Sequence, residues 1–409
     1  MKPTTVVRSL CKANVMMYQL IGGELSPYTA KVRSYLRFKK IPFEPVTASA
    51  EIYANFIKPR IGWSVIPVLV TPQNEAIQDS TDIIDYLEQR HPVPSIQPRT
   101  PKQKLACSLL ELFADEWMVL PIMHYRWSFP ENLPFIKEEF GRIGFPEHST
   151  SERSSIAGAL YGKFQSMRGV LGINEQTAPA IEESWKGLLD ELTAHFDKHP
   201  YLLGGKPCVA DFALGGMMFA HLYRDPVPGM LMKTRAPLVA AWVEHMNGHL
   251  PSISRYNVHE VDGDGRVVRK RRPEGCDDYC AEDEIPQTLD PILKRVCGEF
   301  GPVLLSTRRR LIQFIKDNPG VTKLPRNIGQ HEFQIGGITS QRGIFPFNIW
   351  MWQRVTDIYH NMNDCDKGES SAMMSQYPHG LDIIRANLDS YRVERKANFL
   401  HAVLHKSKI

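Results

Sequence analysis

The sequence predicts an α+β fold of three parts: an N-terminal unit in which strands and helices alternate, an all-helical region, and a C-terminal α/β extension. Three observations carry this. Residues 17–90 alternate short apolar runs with segments of helical spacing. From 102 to 249 only helical periodicity is left, and an alternating unit followed by a run of helices implies separate domains. Beyond about residue 257 hairpin signals return between helices. The proline-rich stretch 91–101 is a natural linker. The expected units are therefore 1–96, 97–257 and 258–409.

In the first unit, Met17–Ile21 is an apolar strand, and Ser26-Pro27 opens a helix that runs to Phe38 with Val32, Tyr35 and Leu36 at helical spacing. Serine suits the cap position and proline the first helical turn. Ile41–Val46 contains two prolines and reads as an edge strand. A short helix is expected from Ser49 to about Phe56. Val65–Val70 is a β-branched run with Pro67 inside it, which a strand tolerates at its start, where a cis bond would be a feature kept for a reason. A turn at 72–75 leads to Ile77–Ser80, and Thr81–Gln89 is a helix with Ile83, Ile84 and Leu87 on one face. The order β-α-β-α-β-β-α is that of a thioredoxin-like domain.

Helical periodicity then covers 102–129, 151–170, 178–198, 209–223 and 236–249. In the extension, Val258–Arg272 reads as a hairpin around Asp264-Gly265, ending in the basic run Arg269–Arg272. A second hairpin is expected over His331–Phe347, and helices over 291–316, 349–362 and 380–397.

Composition narrows the function classes. The chain has 409 residues, 43% hydrophobic and 23% charged, ordinary for a globular protein with a sizeable core. A net charge of +4 over this length does not argue for nucleic acid. No apolar run approaches the roughly 18 residues of a membrane helix, and Met1–Asn14 lacks the apolar stretch of a signal peptide. Seven scattered cysteines suit a reducing cytoplasm better than a disulfide framework. No metal site is expected: Cys276 and Cys280 have no matching pair, and His245 and His249 lack the glutamate of a zinc-binding helix. Asp262-Gly-Asp264-Gly has Arg266 where a calcium loop needs a ligand, so a hairpin turn is expected.

Ser26 places a hydroxyl at the positive end of a helix dipole, a place suited to an anion. Four strings sharpen the reading: Ser26-Pro27-Tyr28, Val65-Ile66-Pro67-Val68-Leu69, Gln78-Asp79-Ser80 and Cys208-Val209-Ala210-Asp211-Phe212. In this order and spacing, residues 16–255 resemble the glutathione transferase superfamily. The Ser-Pro-aromatic string is similar to that of tau-class enzymes; omega-like members have a cysteine at this position and do thiol–disulfide chemistry. The resemblance implies a dimeric, cytoplasmic transferase of detoxification type, with glutathione as co-substrate and a small hydrophobic electrophile as second substrate, and without nucleic acid, membrane or metal.

The resemblance also implies roles. With a cis bond before Pro67, the main chain of Ile66 would pair with the cysteinyl part of glutathione like an added strand. Ser80 would cap its helix and bind the γ-glutamyl carboxylate, and Asp79 would take the amine. Ser26 would stabilise the thiolate. A free thiol titrates near ~8.5. Lowering that by ~2 units takes about 2.7 kcal/mol, and one hydrogen bond to a charged group supplies roughly 1.5–3. Tyr28 is the second candidate donor. Cys208 and Asp211 resemble a capping box. The electrophile site is expected between the first two units, with Trp117, His124 and Tyr125 as its site residues and Met118, Trp127, Met217 and His221 as further lining.

Two departures stand out. The family often has a basic residue before the proline strand to hold the glycyl carboxylate, where this chain has Gly62-Trp63-Ser64-Val65; Lys58 or Arg60 would have to substitute. The extension matches no module, and its aromatic segment (Phe345, Phe347, Trp350, Met351, Trp352) is expected to fold back on the helical region, closing an apolar site or making a dimer contact. A non-catalytic binding or assembly module is the alternative reading. A reductase using Cys11 is a third, with that cysteine placed wrongly for the helix start.

Overall fold

The computed structural model describes residues 17–248, 259–269 and 278–404. Cys11, His249, Cys276 and positions 270–272 of the basic run lie outside the described residues.

Four strands form the first sheet: β1 (Tyr18–Gly22), β2 (Phe43–Thr47), β3 (Val68–Val70) and β4 (Ala76–Gln78), in the order β2-β1-β3-β4. The β1–β2 pair is parallel, and the β1–β3 and β3–β4 pairs are antiparallel. β2, with its proline, is an edge as the sequence predicts. Alternation along the strands makes two cores. Leu20 and Leu69 face α1 (Pro27–Phe38) and α3 (Ser80–Arg90), while Ile21, Val68 and Val70 face α2 (50–61). The segment 50–61 runs past the expected end at Phe56, through a π turn, and stops at Gly62 with φ 90°.

The helical region holds α4 (Pro101–Leu112), α5 (Val119–Ser128), α6 (Leu133–Gly144), α7 (Thr150–Val170), α8 (Ala178–Phe196), α9 (Val209–Met217), α10 (Pro226–Arg235) and α11 (Pro237–Met246). α6 and α10 lie where helical spacing predicts no helix. Both have proline in the first turn, where its missing N–H costs nothing, so a loop signal is a helix start here. α4 continues through a π turn at Phe113–Trp117, and α9 through another at Met218–Tyr223. At the start of α9 the capping box is present: Asp211 Oδ2 accepts from the Cys208 N–H at 2.8 Å.

The extension holds the hairpin β5 (His259–Val261) and β6 (Val267–Arg269), then α12 (Asp290–Arg295) and α13 (Gly301–Asp317) joined by a π turn. A second hairpin, β7 (Gln330–Ile335) and β8 (Ile338–Gly343), leads to α14 (Pro346–His360), α15 (Asp364–Met374) and α16 (Gly380–Arg385). The helix expected over 380–397 is shorter than read. It stops at Arg385, and the chain returns as a hairpin of β9 (Tyr391–Lys396) and β10 (Phe399–Leu404), turning at Ala397 (φ 47°) and Asn398 (φ 66°). The aromatic segment forms the start of α14, which lies against α4. Buried residues of the extension, such as Phe300, Met351 and Trp352, belong to the same core as Leu105, Trp117 and Trp185.

Candidate functional site

The strand register gathers the three N-terminal strings at one end of the sheet. Ile21 pairs with Val68, and Val68 with Gln78. The residues after Ile21, before Val68 and after Gln78 therefore leave the sheet side by side. These are the turn to Ser26, the Ile66-Pro67 pair, and Asp79-Ser80.

Ser26 is the N-cap of α1. Its Oγ accepts the Thr29 N–H at 3.2 Å, which leaves its own proton to donate. The Ile66–Pro67 bond is cis. Ile66 lies just before the first paired residue of β3, so its main chain stands outside the ladder. At α3 the capping role differs from the expected one. Asp79, with φ 87°, is the cap, and its Oδ1 accepts from Thr81 N (2.9 Å) and Asp82 N (3.4 Å). Ser80 is the first helical residue and is buried. A carboxylate outcompetes a hydroxyl for amide donors because the bond is charge-assisted.

Tyr28 is committed elsewhere: its hydroxyl donates to the Asp115 carbonyl at 2.9 Å, and burial raises its pKa well above the ordinary phenol value. Arg60 is likewise committed, bonding the Asn74 carbonyl (3.0 Å) and Oδ1 (2.9 Å). Lys58 is exposed at the last turn of α2.

Two buried networks that no sequence motif announced hold the turn and helix around Ser26. Arg126 forks onto Asp225 with two 2.7 Å bonds and donates to the Leu25 carbonyl at 3.1 Å, one residue before Ser26. It also meets His221 Nε2 at 2.8 Å. Arginine only donates, so Nε2 accepts and Nδ1 carries the proton given to the Ile122 carbonyl. Burial, then Arg126, holds His221 well below its ordinary pKa. In the second network, Lys31 on α1 pairs with Glu111 (2.8 Å) and Asp115 (2.6 Å) on α4 and its continuation. Two carboxylates share one ammonium. Glu111 is lowered by that charge, while burial pushes Asp115 up to about 7. Their partners lie 80 to 100 positions away in sequence, too far for any spacing rule to reveal.

The extension reaches the rim of the same sheet end. Arg395 on β9 donates to Gln78 Oε1 at 2.8 Å and lies 2.6 Å from Asp82 and 3.5 Å from Asp79. Asn398 donates to the Ile61 carbonyl at 3.4 Å. Phe399 sits against Gly62, where an added Cβ would come within 3.2 Å of its ring. Arg326 lies over the Trp63 ring at 3.3 Å, beside the stretch that has no basic residue of its own.

The expected electrophile residues are buried. Trp117 stacks on Phe300 of the extension, and its N–H donates to Glu299 at 3.2 Å. His124 bonds Glu182 (3.1 Å) and Ser128 (3.0 Å), and burial lowers its pKa. Tyr125 stacks on Phe129, with its hydroxyl unpaired. Met118 and Met217 are buried in the core, Trp127 stacks on Phe164, and His221 belongs to the Arg126 network. Of the aromatic segment, Trp350 lies under Arg395, and the Met351 sulfur accepts from Thr81 Oγ1 at 3.8 Å. Phe347 meets Trp350, Trp352 donates to the Ile383 carbonyl at 2.9 Å, and Phe345 is partly buried.

Among the described residues no cluster of three metal-ligating side chains is present, and no helix is long and apolar enough to cross a membrane.

Comparison with known proteins gives residues 20–98 as a match to the glutathione S-transferase N-terminal domain. A curated relative, the uncharacterized GST-like protein YibF of Escherichia coli K12, is 31% identical over 97 residues; these are 24% of this chain and 48% of the relative. The chain thus matches about half the length of that relative. Among solved structures, the beta-etherase LigF of Sphingobium sp. strain SYK-6 aligns over 57% of this chain and 96% of its own, at 19% identity and a TM-score of 0.43. A glutathione S-transferase of Methylobacterium radiotolerans in complex with glutathione sulfonate aligns over 59% and 99%, at 21% identity and a TM-score of 0.36.

Proposed function

We propose, from the premise that residues 20–98 are a glutathione S-transferase N-terminal domain, that the chain binds glutathione at this sheet end and stabilises its thiolate for attack on an electrophile. The observation that carries the reading is the convergence of Ser26, the Ile66 main chain and Asp79-Ser80 beyond one register line of the sheet. In this reading the Ile66 main chain pairs with the cysteinyl unit. Asp79 takes the γ-glutamyl amine, and Ser80 with the first turn of α3 takes its carboxylate. The glycyl carboxylate falls to Arg326, whose guanidinium lies over the Trp63 ring.

Ser26 donates its hydroxyl proton to the sulfur while its oxygen still accepts from Thr29, and the positive end of α1 adds to the stabilisation of negative charge. Arg126 supports this by holding the carbonyl that precedes Ser26. Residues 1–96 then carry glutathione, 97–257 supply the neighbouring wall through α4 and α9, and 258–409 close the rim. The shared chemical step is thiolate attack, whether it ends in conjugation, dehalogenation or ether cleavage.

The kinetic test uses chlorodinitrobenzene and glutathione. Ser26→Ala is expected to lower kcat by about 30- to 150-fold, the equivalent of about 2–3 kcal/mol for a hydrogen bond to a charged group. KM for glutathione should change less than threefold, because Ile66, Asp79 and Ser80 are untouched. Unchanged kcat in Ser26→Ala refutes the assignment.

A further inference from the structure

Away from Ser26, one cation of the extension is buried without a counter-charge. Arg342 on β8 is 1% exposed. Its guanidinium lies 5.2 Å from the Trp117 ring and 5.6 Å from the Phe333 ring, and its Nε and Nη1 have no partner. Directly across the hairpin is His331, also buried, whose Nδ1 meets Ser306 Oγ at 2.8 Å and whose Nε2 has no partner. Three orphaned polar atoms thus lie on facing residues of one hairpin. Among the described residues no carboxylate comes within ion-pair distance of Arg342. The acid whose charge it senses is Glu116, one residue before Trp117, and burial holds Glu116 well above its ordinary pKa, toward the neutral form.

Buried polar groups are paired in the great majority of proteins. A buried ion without a partner costs several kcal/mol. The chain nevertheless holds this guanidinium beside two aromatic rings that contact each other. Glu116 keeps some solvent exposure on this side of the molecule and lies beside Asp115, whose carbonyl takes the Tyr28 hydroxyl near the start of α1.

We propose that Arg342 anchors a pocket for the carboxylate of the second substrate, an apolar-bodied or aromatic acid rather than a neutral hydrophobe. The role as second-substrate pocket rests on the glutathione reading above; the anion site itself does not. Arg342 supplies its charge and an unpartnered N–H, from Nε or Nη1 on separate edges of the guanidinium, to the carboxylate, a charge-assisted bond. The rings of Trp117 and Phe333 fix the guanidinium and exclude water from one side.

The test is calorimetry on the full chain with dinitrobenzoate and dinitrobenzamide, which match in size and differ in charge. The acid is expected to bind at least tenfold tighter. Equal affinity, tighter binding of the amide, or no binding of either overturns the inference, and this comparison needs no variant to fold. Arg342→Met is then expected to erase the preference without lowering the melting temperature, because replacing an uncompensated buried charge by an apolar side chain of similar volume is often neutral or stabilising. A preference that survives Arg342→Met overturns the assignment of the residue. Glutathione is titrated separately. Glutathione binding without an acid preference defeats this inference alone, and an acid preference without glutathione binding defeats the glutathione reading and leaves the arginine pocket standing.

Discussion

The Ser26 oxygen caps α1 through Thr29, which leaves the hydroxyl proton for the sulfur anion of the proposed reaction. The cap was legible, because serine before proline at a strand–helix turn is a local pattern. So were Ile66-Pro67 and Asp79-Ser80, although which of the last two caps α3 was settled only by the geometry, in favour of Asp79. Lys31, Arg126 and Arg342 were not legible. Each is a charged residue in a segment that looks amphipathic, and its burial depends on partners or rings far away in sequence. Arg326 was not legible either: it is exposed, and its place over the Trp63 ring is a contact between distant parts of the sequence. Removing it with Arg326→Ala is expected to weaken glutathione binding roughly fivefold, as about 1 kcal/mol for an exposed ion pair predicts. Binding of γ-glutamylcysteine, which lacks the glycyl carboxylate, should be unchanged. Calorimetry with both ligands checks this, and an equal loss for the two places Arg326 outside the carboxylate's reach.

At the scale of elements, the first sheet and its helices followed from hydrophobic spacing, because each strand and helix buries one readable face. The hairpin β9–β10 did not. Its strand Tyr391-Arg-Val-Glu-Arg-Lys396 alternates charged residues with one buried valine, so the apolar face that would signal a strand is nearly absent. What fixes it is external: Gln353 bonds both the N–H and the carbonyl of Val393, and Arg395 bonds Gln78. The contact of α9 with α1 has a narrower requirement. A Cβ at Gly216 would lie 2.7 Å from both the Pro27 carbonyl oxygen and the Lys31 nitrogen, which are backbone atoms with no room to yield. Gly216→Ala is therefore expected to cost about 1–3 kcal/mol by overpacking. It should also lower kcat, because the displaced helix carries Ser26. Thermal denaturation and turnover of the same preparation test the link, and a destabilised variant with full kcat would break it.

Across the whole molecule, the extension is not an appendage on a two-part fold, since its buried side chains share the core of the helical region and its hairpin edges the candidate site. Composition alone could not have shown this, because an apolar residue in an extension reads the same whether it buries against its own segment or another. His195 on α8 is one such tie. It is buried, with Nδ1 at 2.8 Å from Thr288 Oγ1 of the extension and Nε2 at 3.0 Å from the Tyr201 carbonyl. Burial lowers its pKa to about 4. Unfolded, it takes up a proton near pH ~6.5; folded, it resists until about 4. Its contribution is thus fully present above ~6.5 and is lost as the pH falls toward 4, with a ceiling of about 3 kcal/mol. Asp82 and Asp211, raised to about 6, and Asp115, raised to about 7, act in the opposite sense, so the overall stability curve does not isolate this term. The difference does: His195→Gln is expected to lower the melting temperature more at pH ~7.5 than at pH ~5. A gap that is constant with pH would show that the imidazole titrates alike in the folded and unfolded states.

The central claim is that Ser26 and the start of α1 make glutathione a thiolate. Ultraviolet difference titration of bound glutathione, parent chain against Ser26→Ala, tests it most directly. The account predicts a bound thiol ionising about 2 units below the free value of ~8.5 and a rise of more than 1 unit on substitution. A bound thiol that titrates like free glutathione, or one that Ser26→Ala leaves unmoved, would contradict it.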